Sequence, residues 1–561
     1  MYCDSERGFY SRWAALAASF IVNAFNLFSY AFGLFSDTLK SDLGFSQRSI
    51  DFIASVGELG LWSSFFVGLM LERMTPRQVY IVGSGATLVG LGYVALATDK
   101  ARHVLSSNPT SFGMMFFLAN FGTACFSQSA QAIAVQNFPA KDRGKVSGII
   151  KSIFGLSSAV LGVLYIGLFG GTGVAKFLEI LSVGVPLLGV ISMIPLNVVP
   201  QKHLSYMLEI SQGVSPVLVP FYIWFAVLTF FLSAATVLKG IGVSLPTPWT
   251  GFAVLFVVGF SSILPLFYGR VFFRVATLEH DAWHSDGQVG GSSEDSRLLG
   301  ESNGHFELEG DTTVGEESLP LLGGALEEVG DNQGPYAILK TNHNLTWKQC
   351  LRDKRFWVLY IGFLCGAGSG LVVINNVASL VDSLGLESSS LLVTMLGIAS
   401  AIGRISSGWI SDQVVGMGFP RALVLCATLL TTCLVDLLLA AGFTQLLYFL
   451  CVATGFCYGS MFSLVLALTG DMFGVEHIGT NYGLLDLGPA AGSFIFATGI
   501  VNIFYQNAPN GDDCMGAHCF RGTFFVTAGS CLIACILVYT TVVRPGLRAC
   551  QVRGRGGGHD S

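Results

Sequence analysis

The stretch GLMLERMTPRQ, residues 68–78, separates two long apolar runs with a short group of charged and turn-forming residues. A related stretch, GWISDQVVGMGFPRA at residues 408–422, separates another pair of apolar runs. Gly68 and Gly408, which open the two stretches, stand 340 residues apart. Short polar loops between long apolar segments are typical of successive membrane-spanning helices. The repeat therefore predicts a membrane protein that contains an internal duplication.

The composition also indicates a membrane protein. Of 561 residues, 52% are hydrophobic and 12% are charged, whereas a soluble domain carries about 25% charged residues. Apolar runs of about 20 residues recur along the chain, each long enough to cross about 30 Å of hydrocarbon, and in lipid such runs satisfy their backbone hydrogen bonds as helices. We therefore predict an all-α polytopic membrane protein. About fourteen spans are expected from run length, at 13–36, 51–70, 79–97, 111–135, 147–169, 176–198, 216–238, 250–272, 355–379, 390–411, 421–442, 445–468, 482–504 and 522–543.

The distribution of lysine and arginine predicts the orientation. These residues are more frequent in the loops on the side of the N-terminus, which places both termini in the cytoplasm under the positive-inside rule. No cleavable signal peptide is expected, and the membrane is predicted to be the plasma membrane or a vacuolar or endosomal membrane. Cys514 and Cys519 then lie in an outer loop, where a disulfide is plausible. A metal site that includes His518 is the weaker alternative at this loop.

A second repeated motif extends the duplication. FPAKDRGKVSG begins at Phe138, and FGVEHIGTNYG begins at Phe473, with glycines six and ten residues after each phenylalanine. The copies stay in step over both halves of the chain, as in transporters that are built from internal repeats. The predicted organisation is an N-terminal six-helix bundle at 1–200, two additional helices at 201–274, a disordered acidic loop at 275–350, a C-terminal six-helix bundle at 351–545 and a cytoplasmic tail at 546–561.

These motifs resemble a known family. The first polar stretch looks like the loop signature of the major facilitator superfamily, and Gly408 with Asp412 resembles the matching signature of the second half. YAFGLFSDTLKSDLGFSQ, NFPAKDRGKVSGIIKSIFGLSSA and GTNYGLLDLGPAAGSFIF resemble the nodulin-like branch. The resemblance implies the major facilitator fold and a gating role for residues of the two signatures, which are Gly68, Glu72, Arg73, Arg77, Gly408 and Asp412.

The two loop signatures depart from the family pattern in different ways. Thr75 and Pro76 stand where a glycine and a basic residue are usual, and Gln413 replaces the arginine in the second copy. An acid at a helix end beside basic groups can hold the cytoplasmic ends of two helices together. Because the second copy lacks the arginine, we expect the first copy to hold more strongly. The alternative is that both stretches only mark topology.

Ionisable residues within spans point to function, because their burial in lipid is costly. Arg404 is predicted near the middle of its span, and Lys151 lies within the fifth span. If the family architecture holds, the fifth span faces the tenth, so both cations approach one cavity and favour an anionic substrate, since the arginine fork binds carboxylates in a bidentate manner. Alternatively, Lys151 extends to the interface and Arg404 pairs with Asp412 or with backbone carbonyls.

Two carboxylic acids are predicted to couple transport to protons. Glu58 is the stronger candidate, because a buried carboxyl can exchange a proton near neutral pH. Asp486 occupies the position in the second half that Lys151 occupies in the first, which follows from the repeated glycines. Arg404-x-x-x-Gly408 is also similar to a motif of monocarboxylate carriers, but those carriers place an aspartate where Ser400 stands here.

Uncharged polar residues within the spans are candidates for lining a substrate pathway. Asn23, Asn26 and Tyr30 are three and four residues apart and share a helical face, while Gln128 and Asn375 lie in other spans. The alternative is that these side chains make structural hydrogen bonds between helices.

The acidic loop is too polar to form a core, which predicts disorder. Within it, Glu294–Leu299 and Glu317–Leu322 resemble sorting signals that vesicle adaptors bind, although such short patterns also arise by chance.

Taken together, these features predict a secondary active or facilitative transporter that moves a small solute by alternating access. The favoured substrate is a small organic anion such as a monocarboxylate. A carrier of iron or amino acids, or a non-transporting membrane sensor or scaffold, is the alternative. We expect no enzymatic activity, no catalytic residues, no cofactor and no metal site. The expected partners are the small-molecule substrate and the lipid bilayer, and no nucleic acid.

Overall fold

The computed structural model describes residues 2–26, 43–98, 108–169, 173–198, 344–383, 389–506 and 518–547, with scattered residues at 32, 39, 516 and between 218 and 259. All regular structure within these ranges is helical. Several residues singled out from the sequence lie outside the described residues. They are Tyr30, Cys514 and both candidate sorting signals, Glu294–Leu299 and Glu317–Leu322.

The helices of the first half begin at residues that suit helix starts. Ser46 accepts a hydrogen bond from the Ser49 N–H at the start of the second helix. Asn108 accepts one from the Thr110 N–H and so caps the helix that begins at Pro109. Proline is a favoured first helical residue. The helices are α1 (Tyr2–Ala24), α2 (Gln47–Leu61), α3 (Ser64–Leu71), α4 (Pro76–Thr98), α5 (Pro109–Asn137), α6 (Arg143–Phe169) and α7 (Val174–Ser192).

The second half contains a similar series. Its helices are α8 (Trp347–Cys350), α9 (Lys354–Ser383), α10 (Ser389–Gly416), α11 (Ala422–Ala441), α12 (Leu447–Phe473), α13 (Ile478–Leu485), α14 (Leu487–Gly492), α15 (Val501–Gln506) and α16 (His518–Val538), with π-helical turns at Ser493–Ile500 and Tyr539–Val543. Residues 344–350 are folded, so the prediction of disorder for 275–350 is wrong for these last seven residues.

Helix length and polarity bear on the predicted spans. In the described part of the chain, nine helices are long and apolar enough to cross a membrane. Every predicted span outside 216–272 overlaps a described helix, although the first span, 13–36, does so only up to Ala24. The all-α fold class is therefore confirmed. The total of about fourteen spans and the domain boundaries stay predictions, because most of residues 199–343 lies outside the described ranges.

Buried apolar side chains form two large clusters. One is drawn almost entirely from residues 13–258 and the other from residues 350–543. The clusters meet where α3 packs on α13 and where α6 packs on α10. This contact confirms the expected packing of the fifth predicted span on the tenth. Each half thus buries its own apolar surface, and the two halves touch through a small number of helices.

Glycines allow close approach at both contacts between the halves. A Cβ at Gly68 of α3 would collide with the backbone of Gly479 and Thr480 in α13, and a Cβ at Gly408 of α10 would collide with Gly144 of α6. We call these contacts the α3/α13 crossing and the α6/α10 crossing. The ends of these helices that carry Glu72 and Asp412 are called the gate end.

Candidate functional site

A cavity lies between the two halves, near the middle of α10. Its free space is about 20 Å³, enough for about one water molecule, so the cavity is narrow in this conformation. The walls are contributed by both halves. The apolar and aromatic lining residues are Leu61, Trp62, Phe154 and Phe462, and the polar ones are Ser64, Ser127, Gln131, Lys151, Arg404 and Asp486.

Arg404 is a charged cavity residue with unused hydrogen-bonding capacity. Its side chain is 2% exposed, and Nη1 donates to the backbone carbonyl of Lys151 at 2.7 Å. Its Nε is buried with no hydrogen-bond partner among the described residues. The guanidinium lies 4.9 Å from the centre of the Phe462 ring, and Gly155 leaves room for it, because a Cβ there would stand 2.6 Å from Nη1.

Lys151 contributes a second buried cation. It is 3% exposed and has no ion-pair partner among the described residues. Its Nζ lies over aromatic faces instead, 4.5 Å from the ring centre of Tyr482 and 5.6 Å from that of Phe462. Such contacts stabilise a cation by about 0.5–2 kcal/mol, less than a carboxylate would provide in a dry site.

Asp486 places one negative charge in the same cavity. Its Oδ2 accepts from Ser64 Oγ at 2.9 Å, and its Oδ1 accepts from the Tyr482 hydroxyl at 3.0 Å. The Ser64 bond joins the first half to the second. The cavity therefore holds two cations and one carboxylate, with the carboxylate already bonded to two neutral donors.

The internal duplication relates these contacts to one another. Ser64 and Arg404 are 340 residues apart, as Gly68 and Gly408 are, and Lys151 and Asp486 are 335 apart, as Gly144 and Gly479 are. The Ser64–Asp486 bond is thus the counterpart of the bond from Arg404 to the Lys151 carbonyl. At equivalent positions, the α3/α13 crossing carries the pair Ser64 and Asp486, and the α6/α10 crossing carries the basic pair Arg404 and Lys151.

The other predicted substrate and proton residues lie at varying distances from the cavity. Glu58 is exposed and stands one helical turn from Leu61 and Trp62, so it shares their face of the helix. Gln128 donates to the Gly479 carbonyl, one turn from the lining residue Gln131.

The predicted asparagines do not line the cavity. Asn26 Nδ2 donates to the Thr123 carbonyl at 3.0 Å, and Asn23 Nδ2 donates to the Ser19 carbonyl at 2.7 Å. Asn375 is exposed and donates to Ser493 Oγ at 3.1 Å. These are bonds within and between helices, and a role in a pathway stays a prediction for all three.

At the gate end, the first polar stretch makes a modest set of contacts. Glu72 Oε1 accepts from Thr480 Oγ1 at 2.6 Å and lies 3.6 Å from His477 Nδ1, so it joins the two halves. Arg77 instead donates to the carbonyls of Leu196 and Ile194 within the first half. The side chain of Arg73 is exposed.

The second polar stretch makes a stronger set of contacts. Asp412 accepts from the backbone N–H groups of Gly144 and Lys145 at 3.0 and 2.8 Å, at the start of α6, and from Arg421. Arg421 also bonds Asp471, which pairs with Arg143. The expectation that the first copy holds more strongly is therefore wrong. Arg421, nine residues after Asp412, supplies the cation that Gln413 does not.

The Arg421 guanidinium is 1% exposed and lies just before α11. Burial by itself lowers the pKa of this group, but the charges of Asp471 and Asp412 outweigh burial and raise the pKa above its ordinary value. Arg421 therefore stays charged, and both carboxylates depend on it for compensation.

The residues that follow the acidic loop dock at the gate end. We call residues 344–350 the docked segment. Asn344 Oδ1 accepts from the Val475 N–H at 3.2 Å, and its Nδ2 donates to Glu476 Oε2 at 2.9 Å. The ring of Trp347 meets the ring of Phe65 edge to face, with centroids 5.8 Å apart. The segment thus touches the turn before α13 and also α3, at the α3/α13 crossing.

Sequence reasoning missed several of these residues. Ser64 had a usable signal, because adding the repeat offset of 340 to its number leads to Arg404. Arg421 also lies within the second polar stretch. Tyr482 and Phe462 carried no signal, since one aromatic residue in an apolar helix looks like another.

Comparisons with known proteins add independent information. The Nodulin-like family matches residues 12–266, and the family described as NFD4, C-terminal domain, matches residues 340–546. The chain is 23% identical to Protein NUCLEAR FUSION DEFECTIVE 4 of Arabidopsis thaliana, over 92% of this chain and 86% of that protein. It is 24% identical to "Probable transporter MCH1" of Gibberella zeae, over 94% of this chain and 87% of that protein.

A solved structure shows the same fold. The chain aligns with the proton:xylose symporter XylE of the major facilitator superfamily with a TM-score of 0.50 and 11% sequence identity, over 95% of this chain and 96% of that one. At this identity the likeness concerns the fold alone.

Proposed function

We propose that the chain is a nodulin-like transporter of the major facilitator superfamily, and that it moves a small organic anion, such as a monocarboxylate, by alternating access. One observation carries the choice of substrate. Arg404 and Lys151 line one buried cavity between the halves, and Arg404 has an unpartnered Nε there. Buried cations require compensation, and a carboxylate that enters the cavity supplies it.

Binding is proposed to occur at the unpartnered edge of Arg404. A carboxylate can accept from Nε and Nη2 in the bidentate geometry that arginine favours. The Nη1 group keeps its bond to the Lys151 carbonyl, which joins the two halves. The substrate is therefore proposed to bind directly beside a contact between the halves, which couples occupancy to rearrangement.

The charge of the site favours a monoanion. Lys151 and Arg404 contribute two positive charges, and Asp486 offsets one of them. A single carboxylate brings the cavity to neutrality, whereas a dicarboxylate leaves an excess negative charge in a dry site, where unpaired charge is costly.

Asp486 and Glu58 are proposed to couple transport to protons. Asp486 lies in the cavity beside the substrate position, and Glu58 is exposed one turn away from it. Protonation of Asp486 removes its negative charge and strengthens the attraction of the two cations for an anion. On this proposal, uptake of the anion rises with an inward proton gradient.

An amino acid is the second candidate substrate, because of Asp486. A zwitterion has a carboxylate for Arg404 and an ammonium group for Asp486, and both protein groups line the same cavity. The two candidates differ in what Asp486→Asn does. That variant weakens amino-acid transport strongly, while it mainly removes the proton dependence of monocarboxylate transport.

Reconstituted protein tests the proposal. Uptake of labelled pyruvate, lactate, amino acids and ferrous iron is measured in proteoliposomes, with and without a pH gradient. We expect pyruvate or lactate flux that Arg404→Ala abolishes and Arg404→Lys reduces, while Trp409→Ala, at an exposed position of the same helix, retains it. Unchanged anion flux in Arg404→Ala would sink the proposal. Absence of any solute flux would favour a sensor or scaffold.

The termini are proposed to face the cytoplasm, with the gate end on the same side. The acidic loop would then present Glu294–Leu299 and Glu317–Leu322 to vesicle adaptors. Replacing both leucine pairs by alanine is expected to move a fluorescently tagged protein from vacuolar or endosomal membranes to the cell surface. An unchanged distribution would rule out these signals.

A further inference from the structure

Lys151 and Asp486 line one cavity with opposite charges, yet they form no direct ion pair. In a dry interior the attraction between such groups is strong, so direct pairing is the expected outcome. Instead, each carboxylate oxygen of Asp486 accepts a hydroxyl, from Ser64 and from Tyr482. The Lys151 ammonium lies on an aromatic face. Both groups contact Tyr482, so they lie near each other without pairing.

Tyr482 contacts both charges at once. Its hydroxyl donates to Asp486 Oδ1 at 3.0 Å, and its ring face holds Lys151 Nζ at 4.5 Å from the centroid. The side chain is fully buried. It lies four residues before Asp486, so the two share a face of the helical segment that begins with α13. Tyr482 thus binds the carboxylate with one end while its ring holds the ammonium.

Ser64 occupies the other oxygen from the opposite half of the molecule. The position of Ser64 is fixed by the α3/α13 crossing, because a Cβ at Gly483 would stand 2.6 Å from the Ser64 carbonyl oxygen. Its hydroxyl has no other partner among the described residues and points at Asp486 Oδ2, 2.9 Å away. Because both oxygens are bonded, Asp486 would have to break a hydrogen bond in order to pair with Lys151.

We propose that Tyr482 and Ser64 are positioning residues that keep Asp486 from neutralising Lys151, and so preserve the second cation for the substrate. This inference rests on the proposed anion transport and identifies what sets its affinity. When either hydroxyl is lost, a carboxylate oxygen is freed and pairs with Lys151. The anion then meets one available cation in place of two.

A double-mutant cycle tests the proposal. Exchange of labelled pyruvate at equal pH on both sides gives KM without requiring a proton gradient. Tyr482→Phe keeps the ring beneath Lys151 and removes only the hydroxyl. It is expected to raise KM roughly ten-fold, the size of one hydrogen bond to a charged group, while the maximal rate changes little. Ser64→Ala is expected to raise KM about three-fold, the size of a weaker, typical hydrogen bond.

The Asp486→Asn background separates positioning from a general effect on folding. With no charge at position 486, Tyr482→Phe is expected to leave KM unchanged. A merely structural role of the hydroxyl would instead raise KM, or lower the maximal rate, in both backgrounds. Tyr80→Phe is the matched control, because it removes a fully buried hydroxyl from α4, outside the cavity.

Two outcomes contradict the proposal in different ways. If the unmodified protein exchanges pyruvate and Tyr482→Phe has the same KM, the positioning role is overturned and the proposed function is left intact. No exchange by the unmodified protein, with any of the labelled anions, overturns both the positioning role and anion transport.

Discussion

The α3/α13 crossing and the α6/α10 crossing are built alike but hold together by different chemistry. At both, a glycine lets two backbones touch near the gate end. A second glycine does the same four residues further into α6 and α13, where Gly148 meets the backbone of Arg404 and Gly483 meets that of Ser64. The backbone contacts thus follow the internal duplication.

The side chains at the two crossings differ in charge. The α6/α10 crossing buries the ionic group of Asp412, Arg421, Asp471 and Arg143 at the gate end, and Arg404 at the cavity. The α3/α13 crossing relies on hydroxyl groups, from Thr480 to Glu72 and from Ser64 to Asp486. One crossing is therefore bound mainly by charge and the other by neutral donors.

The two crossings therefore share their glycine positions but differ in their polar side chains. Four glycines are constrained because a Cβ at each would strike backbone, which cannot move aside; they are Gly68, Gly148, Gly408 and Gly483. The polar side chains are constrained only by compensation of charge, and each crossing satisfies that in its own way. We therefore expect equal sensitivity of the two crossings to glycine replacement and unequal sensitivity to charge removal.

Arg421→Ala is expected to have the largest effect. The variant leaves Asp412 without its cation and Asp471 with only Arg143. Removing one partner of a buried ionic group costs about 3–5 kcal/mol. Thermal unfolding of the purified protein in detergent measures the loss as a lower melting temperature.

Arg77→Ala is the matched control for Arg421→Ala. Arg77 lies in the first polar stretch and donates to two backbone carbonyls, without an ion pair among the described residues. Its loss is expected to cost about 1 kcal/mol. Equal destabilisation by the two variants would show that the buried ionic group contributes no more than an arginine bonded to backbone carbonyls.

Gly408→Ala and Gly68→Ala are expected to have the next largest effects, and equal ones. The new methyl group meets the carbonyl of Gly144 in one case and the backbone of Gly479 and Thr480 in the other. Overpacking of this kind costs about 1–3 kcal/mol. Because the strain exists only while the gate end is closed, both variants should favour separation of the halves there.

Pulsed electron resonance between spin labels at Val198 and Met417 measures that separation, since both side chains are exposed and lie in opposite halves. Longer distances are expected in both variants. Gly397→Ala, on α10 with open space around the added methyl group, should leave the distance unchanged. A longer distance in only one of the two variants would show that the crossings are not equivalent in their backbones.

The fold was accessible from the sequence because apolar run length and the repeated glycines are local features. The placement of Lys151 and Arg404 in one cavity also followed, once the duplication was combined with the family resemblance. Both residues are buried where a bilayer makes charge costly, so they stand out in an apolar helix. Such a charged residue can be recognised in an apolar helix without knowledge of its rotamer.

Other parts of the site depend on geometry that a sequence does not specify. The pairing of Arg421 with Asp412 requires the loop between α10 and α11 to return close to its start. The double contact of Tyr482 depends on its rotamer. The docking of this segment depends on a donor and an acceptor in the turn before α13, so an Asn-Leu-Thr tripeptide beside an acidic loop gave no indication of it.

Asn344→Ala is expected to weaken the α3/α13 crossing slightly. The variant removes the bonds to Val475 and Glu476, while the bonds of Leu345 to Phe473 and Asn481 remain. The position is exposed, so the cost is about 1 kcal/mol, seen as a partial shift of the Val198–Met417 distance. Asn502→Ala, at an exposed position of α15, is the matched control. A shift as large as that of Gly68→Ala would mean that the docked segment dominates this crossing.

Glu72→Gln is expected to have the smallest effect, although Glu72 belongs to the more recognisable of the two signatures. The amide retains an acceptor for Thr480, and the side chain is 27% exposed, so water compensates for the lost charge. A cost of up to about 1 kcal/mol is expected, as for exposed ion pairs. Asp412→Asn, by contrast, removes the charge that faces Arg421 and two backbone N–H groups, and should approach the effect of Arg421→Ala. If Glu72→Gln destabilised the closed gate end as much as Asp412→Asn does, the charge of the first signature would matter despite its solvent contact, and the two crossings would be bound by the same chemistry after all.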